Sequence, residues 1–203
     1  FVIVRAVILP ENPNNYDVVW TNLTNAGVGD GSTTGETGDY TITGLANGDT
    51  YQVAIAGTFP AIYFNNSGDI AKIQSIEEWG GNFWQSMENA FYGCNNLICT
   101  ATDNPDLSIV TNTSNMFRNT SSFDISLGNW DITSTNNMSG MLDSCGLSIG
   151  NYDNTLIGWE AQNLQPNVTL GANELNYCLA TNEHASLSVN DGWTILGDSP
   201  ACL

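Results

Sequence analysis

The chain has 203 residues, of which 21 are acidic and only three are basic, so its formal net charge is −18 at neutral pH. Arg5, Lys72 and Arg118 cannot neutralise a phosphate backbone or a layer of anionic lipid headgroups, which excludes nucleic acid and charged membranes as partners. No apolar run approaches the ~20 residues of a membrane-spanning helix, so membrane insertion is not expected. The uncharged polar residues that must cover the surface suit a secreted, extracellular protein.

Residues 1–58 are predicted to form a small antiparallel β-sandwich. Residues 1–9 and 16–20 are rich in β-branched and aromatic side chains and are predicted strands. Residues 27–38 are rich in Gly, Ser and Thr and are predicted to be a loop. Residues 39–43 and 50–57 alternate between apolar and polar side chains and are predicted strands. The nine-residue segment 1–9 lacks the cationic start and cleavage site of an intact signal peptide.

Residues 59–150 contain an internal repeat. The blocks 87–94, 113–120 and 138–145 align at spacings of 26 and 25 residues. Units this short cannot bury an apolar face alone, but stacked units can, so the repeat predicts a short solenoid with one strand and one helical turn per unit. The aligned apolar columns and the tryptophan before the last block define the predicted repeat core, which consists of Ala90, Phe91, Met116, Phe117, Trp130, Met138, Met141 and Leu142.

Residues 151–203 differ from the repeats and are predicted to be an α/β cap, as the terminal unit of a stacked array should be. Tyr152, Leu156 and Trp159 fall on one face of a predicted helix. Residues 167–170 and 193–196 are predicted strands, and residues 173–187 a second helix. The chain as a whole is therefore predicted to be a mixed, β-rich α/β protein.

Five cysteines allow at most two disulfides and leave one thiol over. Cys178 and Cys202 bracket the end of the chain and are the first predicted pair. Cys94 and Cys99 are the second candidate pair. The alternative is that Cys94 and Cys145 are small buried hydrophobic residues, as free cysteines often are.

The repeat also carries a resemblance to a known family. Residues 129–142 read NWDITSTNNMSGML, and residues 106–117 are a second copy of this pattern. They resemble the repeats of the BspA-like leucine-rich-repeat surface proteins, a family also described by a mycoplasma-type domain of unknown function. Residues 57–80 resemble the opening segment of its bacteroidete members, and residues 152–165 and 192–195 resemble their closing segment. Residues 1–58 are similar to the PKD-like β-sandwich that often precedes these repeats. The resemblance implies a leucine-rich-repeat-like solenoid that functions in adhesion or protein contact at a cell surface.

No set of residues in the sequence predicts catalysis, so the chain is expected not to be an enzyme. The single histidine, His184, has no second histidine or nucleophile motif beside it and is expected to be a surface or cap residue. Glu77 and Glu78 are the most obvious carboxylate pair, but adjacent residues rarely face one site, and both are expected to be solvated. The tryptophans of the repeats and the cap are expected in the core.

Two kinds of polar site remain as candidates. Asp30, Asp103 and Asp106 offer the oxygen ligands that calcium prefers, although none lies in a complete calcium loop and turn capping is the alternative. No other cofactor is expected. N-glycosylation sequons, which matter only in a host that modifies them, occur at Asn22, Asn65, Asn112, Asn119, Asn137 and Asn167.

Three functions follow as hypotheses. The first is a non-enzymatic cell-surface module that binds a protein or glycan partner. The second is a subunit of an extracellular filament or surface layer, in which the apolar strand 1–9 completes the sheet of a neighbouring copy. The third is a carbohydrate-binding module, because an exposed aromatic ring can stack on a sugar.

Overall fold

The structure, a computed structural model, describes residues 3–4 and 15–202. The remainder of the predicted strand 1–9 lies outside the described residues. The chain is β-rich, with two helices and several small sheets among the described residues, and no described sheet closes into a barrel. The first strands in chain order are β1 (Ile3–Val4), β2 (Asn15–Asn22), β3 (Gly31–Glu36), β4 (Tyr40–Thr41) and β5 (Tyr51–Thr58).

A three-stranded antiparallel sheet in the order β3-β2-β5 forms the largest part of the N-terminal region. Side chains of β2 alternate between buried and exposed, as one-sided packing requires. Tyr16 and Val18 face inward, and the Tyr16 ring meets the Phe59 ring edge-on at 5.0 Å between centroids. This contact joins the sheet to the segment that precedes the repeat blocks. β1 and β4 form a separate two-stranded antiparallel sheet.

The prediction of a loop over residues 27–38 is wrong in its second half, because residues 31–36 form β3. The turn-rich composition hid a strand that tertiary packing selects. Gly31 pairs with Trp20 on β2, and a Cβ at Gly31 would collide with the indole ring of Trp20. The glycine here therefore marks the close approach of a side chain to the backbone, as glycines in strands often do.

Between residues 64 and 197, successive segments of the chain lie side by side and are joined by backbone hydrogen bonds, in an arrangement that we call the ladder. The N–H of Phe91 donates to the carbonyl of Met116 at 2.9 Å, and the N–H of Phe117 donates to that of Met141 at 2.9 Å. The N–H of Leu142 then donates to the carbonyl of Gly171 at 2.9 Å. The short parallel strands of the ladder are β6 (Ser75–Ile76) with β7 (Ile98–Cys99), and β8 (Thr169–Gly171) with β10 (Thr194–Leu196).

Each repeat block consists of two consecutive β-turns, not of the single helical turn that the sequence predicted. In the first block the N–H of Ala90 donates to the carbonyl of Met87, and that of Cys94 donates to the carbonyl of Phe91. The third residue of each turn has positive φ, which is 55° at Asn89 and 84° at Gly93. Turns with this backbone favour Asn and Gly at their third position.

The apolar columns of the repeat lie inside the ladder, and all eight residues of the predicted repeat core are buried. The rings of Phe91 and Phe117 stack with centroids 5.7 Å apart, and Phe117 in turn stacks on Phe123 at 4.0 Å. Trp79 and Trp130 pack edge to face across the same core at 5.3 Å. One continuous cluster of buried apolar side chains therefore connects the N-terminal sheet, the ladder and the C-terminal region.

Two helices flank the end of the ladder, α1 (Ile149–Glu160) and α2 (Thr181–Val189). Helix α1 buries Tyr152, Leu156 and Trp159, the face that its sequence pattern predicts. The second predicted helix, at 173–187, instead begins at Thr181, because Asn176–Tyr177 form strand β9 and pair with β11 (Ser199–Pro200). Neither described helix is long and apolar enough to cross a membrane.

The packing of the ladder generates a prediction about Gly140. Its φ is 66°, and a Cβ there would collide with Oδ1 of Asn115 in the preceding repeat. Gly80 has the same φ of 66° with nothing near its missing Cβ, so it is a matched control. We expect Gly80→Ala to cost about 1–2 kcal/mol of unfolding free energy from the backbone alone, and Gly140→Ala to cost clearly more. Urea denaturation measures both, and equal losses would contradict the predicted close contact.

Candidate interaction surface

The paired turns place two columns of left-handed residues along one side of the ladder. The first-turn column consists of Asn89, Asn115 and Gly140, with φ values of 55°, 53° and 66°. The second-turn column lies four residues later in each block and consists of Gly93, Asn119 and Ser144, with φ values of 84°, 57° and 52°. Residues of one column are neighbours through the ladder, so the two columns run side by side across successive repeats.

Side chains of the first-turn column bond to the protein itself. Nδ2 of Asn115 donates to Oδ1 of Asn89 at 3.0 Å, and Nη1 of Arg118 donates to Oδ1 of Asn115 at 3.2 Å. Gly140 completes the column, because the Asn115 side chain occupies the space of its missing Cβ. This column is therefore a structural element whose amides are already paired.

The second-turn column borders an open cleft of about 400 Å³. Asn66 extends the column by one repeat, since its side chain lies where a Cβ of Gly93 would be. Among the described residues, the side-chain amides of Asn66, Asn95 and Asn119 and the hydroxyl of Ser144 make no hydrogen bond within the protein. The cleft is lined by Asn66, Ile70, Gly93, Asn95, Asn119, Ser121 and Ser144. Its lining has no ionisable side chain, and five of its seven residues are Asn or Ser.

A charged and aromatic row separates the two columns. Tyr92, Arg118 and Asp143 occupy equivalent positions in successive blocks. The Arg118 guanidinium lies 5.5 Å from the centre of the Tyr92 ring, and its Nη1 is 3.9 Å from Oδ2 of Asp143. Arg118 is thus held by a ring, a carboxylate and the amide of Asn115, and its charge is partly balanced on the protein surface.

Several aspartates connect neighbouring segments instead of converging on one site. The Asp153 carboxylate, only 2% exposed, accepts the N–H groups of Cys178, Leu179 and Ala180 just before α2. Asp124 accepts the N–H of Ser148, at the start of α1, at 2.7 Å. Partial burial raises the pKa of Asp124, but hydrogen bonds from Asn151 and Ser148 outweigh it, so the net pKa lies below its usual value.

Each of the three calcium candidates accepts hydrogen bonds within the protein through its carboxylate. Oδ1 of Asp30 accepts the N–H of Asn22 at 2.6 Å in the N-terminal region. Asp103 accepts the N–H groups of Trp79 and Gly80, and Asp106 accepts both donors of Ser108. No group of three His, Cys, Asp or Glu side chains within residues 15–202 is placed to hold a metal. Calcium binding stays a prediction.

The sequons differ in accessibility. The Asn22 side chain is buried and its Nδ2 donates to the carbonyl of Val28 and to Asp49, so the folded chain does not present it for modification. Asn112 and Asn137 are half-buried, and each accepts the N–H of the residue two positions later. Asn65, Asn119 and Asn167 are exposed, with positive φ.

His184 is packed against the C-terminal segment, where the sequence predicted only a surface or cap residue. Its ring stacks on Tyr177 at 4.3 Å, and its Nε2 lies 3.1 Å from Oδ2 of Asp198. Asp198 also accepts the hydroxyl of Tyr152 at 2.8 Å. Glu77 is exposed, as predicted, and accepts hydrogen bonds from its polar neighbours; Glu78 is exposed as well.

Of the two predicted disulfides, the structure forms the one between Cys178 and Cys202, whose Cα atoms are 4.8 Å apart. The second, Cys94 to Cys99, is not formed; both thiols are free, and Cys94 points into the core. Burial raises the pKa of the Cys94 thiol to about 12 and that of Cys145 to about 11. These two thiols therefore stay protonated at neutral pH and are poor nucleophiles.

Sequence reasoning missed the cleft, although its signal was present. Asn or Gly recurs at the third position of each block and small polar residues or Gly at the seventh, which is typical of paired turns with left-handed third residues. The apolar columns drew attention to the buried side of the repeat instead. Nothing in the sequence distinguishes the paired amides of one column from the free amides of the other.

With this geometry in view, comparison with known proteins gives one match. The family model described as "Mycoplasma protein of unknown function, DUF285" matches residues 62–173, which is more than half of the chain. The matched range contains all three repeat blocks and the whole cleft. No curated protein and no solved structure matches the chain. The bacteroidete type and the PKD-like N-terminal segment stay predictions.

The cysteine assignment predicts a thiol count. In denaturant without reductant, we expect three thiols to react with a chromogenic disulfide reagent, because only Cys178 and Cys202 are joined. In the folded protein Cys94 and Cys145 should react far more slowly, since both are buried and protonated. The loop closed by the disulfide is long enough that Cys178→Ser with Cys202→Ser should cost about 3 kcal/mol of stability. A count of one thiol in denaturant would show that a second disulfide exists.

Proposed function

The chain belongs to the DUF285 family, and we propose that it is a non-enzymatic module of a secreted or cell-surface protein that functions in adhesion or protein–protein contact. The proposal rests on the ladder and on the first-turn and second-turn columns along one side of it. Successive repeats bury their apolar side chains and present equivalent polar side chains in register on one side. An extended array of this kind is the type of surface that repeat proteins use for binding.

We also propose that the chain is divided into three structural units. The hydrogen bonds between successive repeats support a short leucine-rich-repeat-like solenoid over residues 59–150. The helices and short parallel strands beyond it support a C-terminal α/β cap over residues 151–203. The antiparallel sheet β3-β2-β5 supports a sandwich-like unit over residues 1–58.

The disulfide supports the proposed location. Cys178 and Cys202 are joined in the structure, and disulfides persist in oxidising environments such as cell surfaces and secreted fluids. A surface of Asn, Thr, Ser and Gly with a net charge of −18 also keeps a chain soluble without a cationic patch. Both features are consistent with a family of surface proteins.

The proposal predicts adhesion that depends on a folded ladder. Beads coated with the full chain should be held under flow on layers of bacterial or host cells, and excess soluble chain should release them. The matched control is Phe117→Asp, which places a charge at a fully buried position of the core and should unfold the ladder. Equal retention of both kinds of bead, or no retention on any cell layer, would contradict adhesion. Hydrolysis of a polysaccharide or protein that a single Asp or Glu substitution abolishes would contradict the non-enzymatic assignment.

Self-assembly is a second candidate function. In the part of the chain that the structure describes, β1 pairs with β4 and not with a strand of the three-stranded sheet. An apolar strand near a chain terminus can exchange between copies and complete the sheet of a neighbour.

This candidate predicts the effect of deleting residues 1–9. The full chain should form ordered polymers in sedimentation and negative-stain imaging, and the shortened chain should be a monomer with an unchanged circular dichroism spectrum. A monomeric full chain would contradict self-assembly. Collapse of the N-terminal unit after the deletion would show that the strand belongs to its own unit.

A further inference from the structure

We propose that the cleft along the second-turn column is a binding site for a neutral glycan. The inference deepens the proposed adhesion function, because it names the class of partner and places it at one surface. It rests on four properties of the cleft: its free hydrogen-bonding groups, their placement on successive segments of the ladder, the paired backbone N–H groups beneath them and the lack of charge in its lining.

The cleft presents side-chain amides and a hydroxyl that are free to bind a ligand. Asn66, Asn95 and Asn119 each offer an amide that makes no hydrogen bond to the rest of the described chain, and Ser144 offers a hydroxyl in the same state. An amide both donates and accepts, as a hydroxyl does, so these side chains match the mixed donors and acceptors of sugar hydroxyls. The contrast with the first-turn column is direct, because there Asn115 is paired with Asn89 and Arg118.

The residues of the second-turn column lie on successive segments of the ladder. Asn66, Gly93, Asn119 and Ser144 lie in four consecutive segments of the ladder, which are joined by backbone hydrogen bonds. Hydrogen-bonded neighbours of this kind lie about 4.8 Å apart. Three of the four positions carry a polar side chain, and at the fourth, Gly93, the Asn66 side chain occupies the space of the missing Cβ. A linear polysaccharide presents hydroxyl groups at a regular interval as well, and it can contact several segments at once. Ile70 adds an apolar contact for the C–H face of a sugar ring.

The paired backbone N–H groups of the column argue against a peptide. Extended peptides dock on sheets mainly through free main-chain groups at an edge. Beneath the cleft the N–H of Gly93 already donates to the carbonyl of Arg118 at 2.8 Å, and the N–H of Asn119 donates to the backbone carbonyl of Asp143 at 2.9 Å. The N–H of Ser144 donates to the backbone carbonyl of Asn173 at 2.9 Å. The cleft thus offers side chains and no strand edge.

The lack of charge selects a neutral ligand. No residue that lines the cleft is ionisable, in a chain with 21 acidic residues. The net charge of −18 repels anionic polymers. Arg118, the neighbouring cation, is held by Asn115 and lies near Asp143, so it is not directed at a ligand in the cleft.

The backbone provides matched variants. Asn66, Asn119 and Asn167 are all exposed and left-handed, with φ values of 53°, 57° and 61°, but Asn167 does not line the cleft. Glycine adopts this backbone freely, so Asn→Gly removes the amide without imposing strain. Asn66→Gly with Asn119→Gly tests the cleft, and Asn167→Gly is the control. Production in a host without N-glycosylation keeps the sequon at Asn119 unmodified.

The experiment is affinity electrophoresis of the full chain in native gels that contain mannan, xylan, dextran or a β-glucan, with alginate as an anionic arm. We expect retardation in at least one neutral gel and none in alginate. Loss of two amides should weaken binding about tenfold or more, since each hydrogen bond contributes about 0.5–1.5 kcal/mol. The Asn167→Gly variant should bind like the unaltered chain.

Several results would overturn the inference: no retardation in any neutral gel, retardation in alginate alone, or retardation that the double variant retains. The bead assay separates this inference from the adhesion proposal. If the double variant adheres to cells as the unaltered chain does, adhesion stands and the glycan site is wrong. If the chain binds a neutral polysaccharide through the cleft but adheres to no cell, the site stands and adhesion is wrong.

Discussion

Hydrogen bonds between one repeat and the next satisfy the backbone of the ladder, and the rest of the structure depends on this constraint. Within a repeat the two β-turns pair only part of the N–H groups, as Ala90 with Met87, and the others donate to carbonyls about 25 residues away in sequence, as Phe91 to Met116. Fixed register follows, because every second N–H must meet a carbonyl of the neighbouring segment. Stability is then a property of neighbouring interfaces, as in other repeat proteins.

Fixed register also determines which residues lie opposite the left-handed asparagines of the two columns. A left-handed asparagine directs its side chain toward the following repeat, and where the residue opposite is glycine, that side chain occupies the space of the missing Cβ. The pair Asn115 and Gly140 shows this, and Asn66 with Gly93 repeats it in the neighbouring column. Where the covered residue is itself asparagine, as at Asn89 and Asn115, the two amides bond to each other. One geometric rule thus produces both a paired column and a free one.

The sequence was sufficient for features that depend on residue spacing. The repeat register, the buried columns, the disulfide between Cys178 and Cys202 and the apolar face of α1 all follow from periodicity or from position along the chain. It was insufficient where a distant contact decides the local structure. Strand β3 forms because Gly31 fits beneath Trp20, and strand β9 forms because the segment near Pro200 pairs with it. The cleft depends on which amides find partners, and no single-sequence pattern encodes that.

Several of the acidic residues hold neighbouring segments of the chain together. Asp103 accepts N–H groups of a segment 24 residues earlier, Asp124 holds the start of α1, and Asp153 accepts three N–H groups before α2. Such carboxylates serve as fixed acceptors for the backbone N–H groups of other segments. Part of the net charge of −18 is therefore built into the scaffold and does not form a binding surface. The side chains left for recognition along the cleft are neutral, which is why hydrogen bonding and not charge must select the partner there.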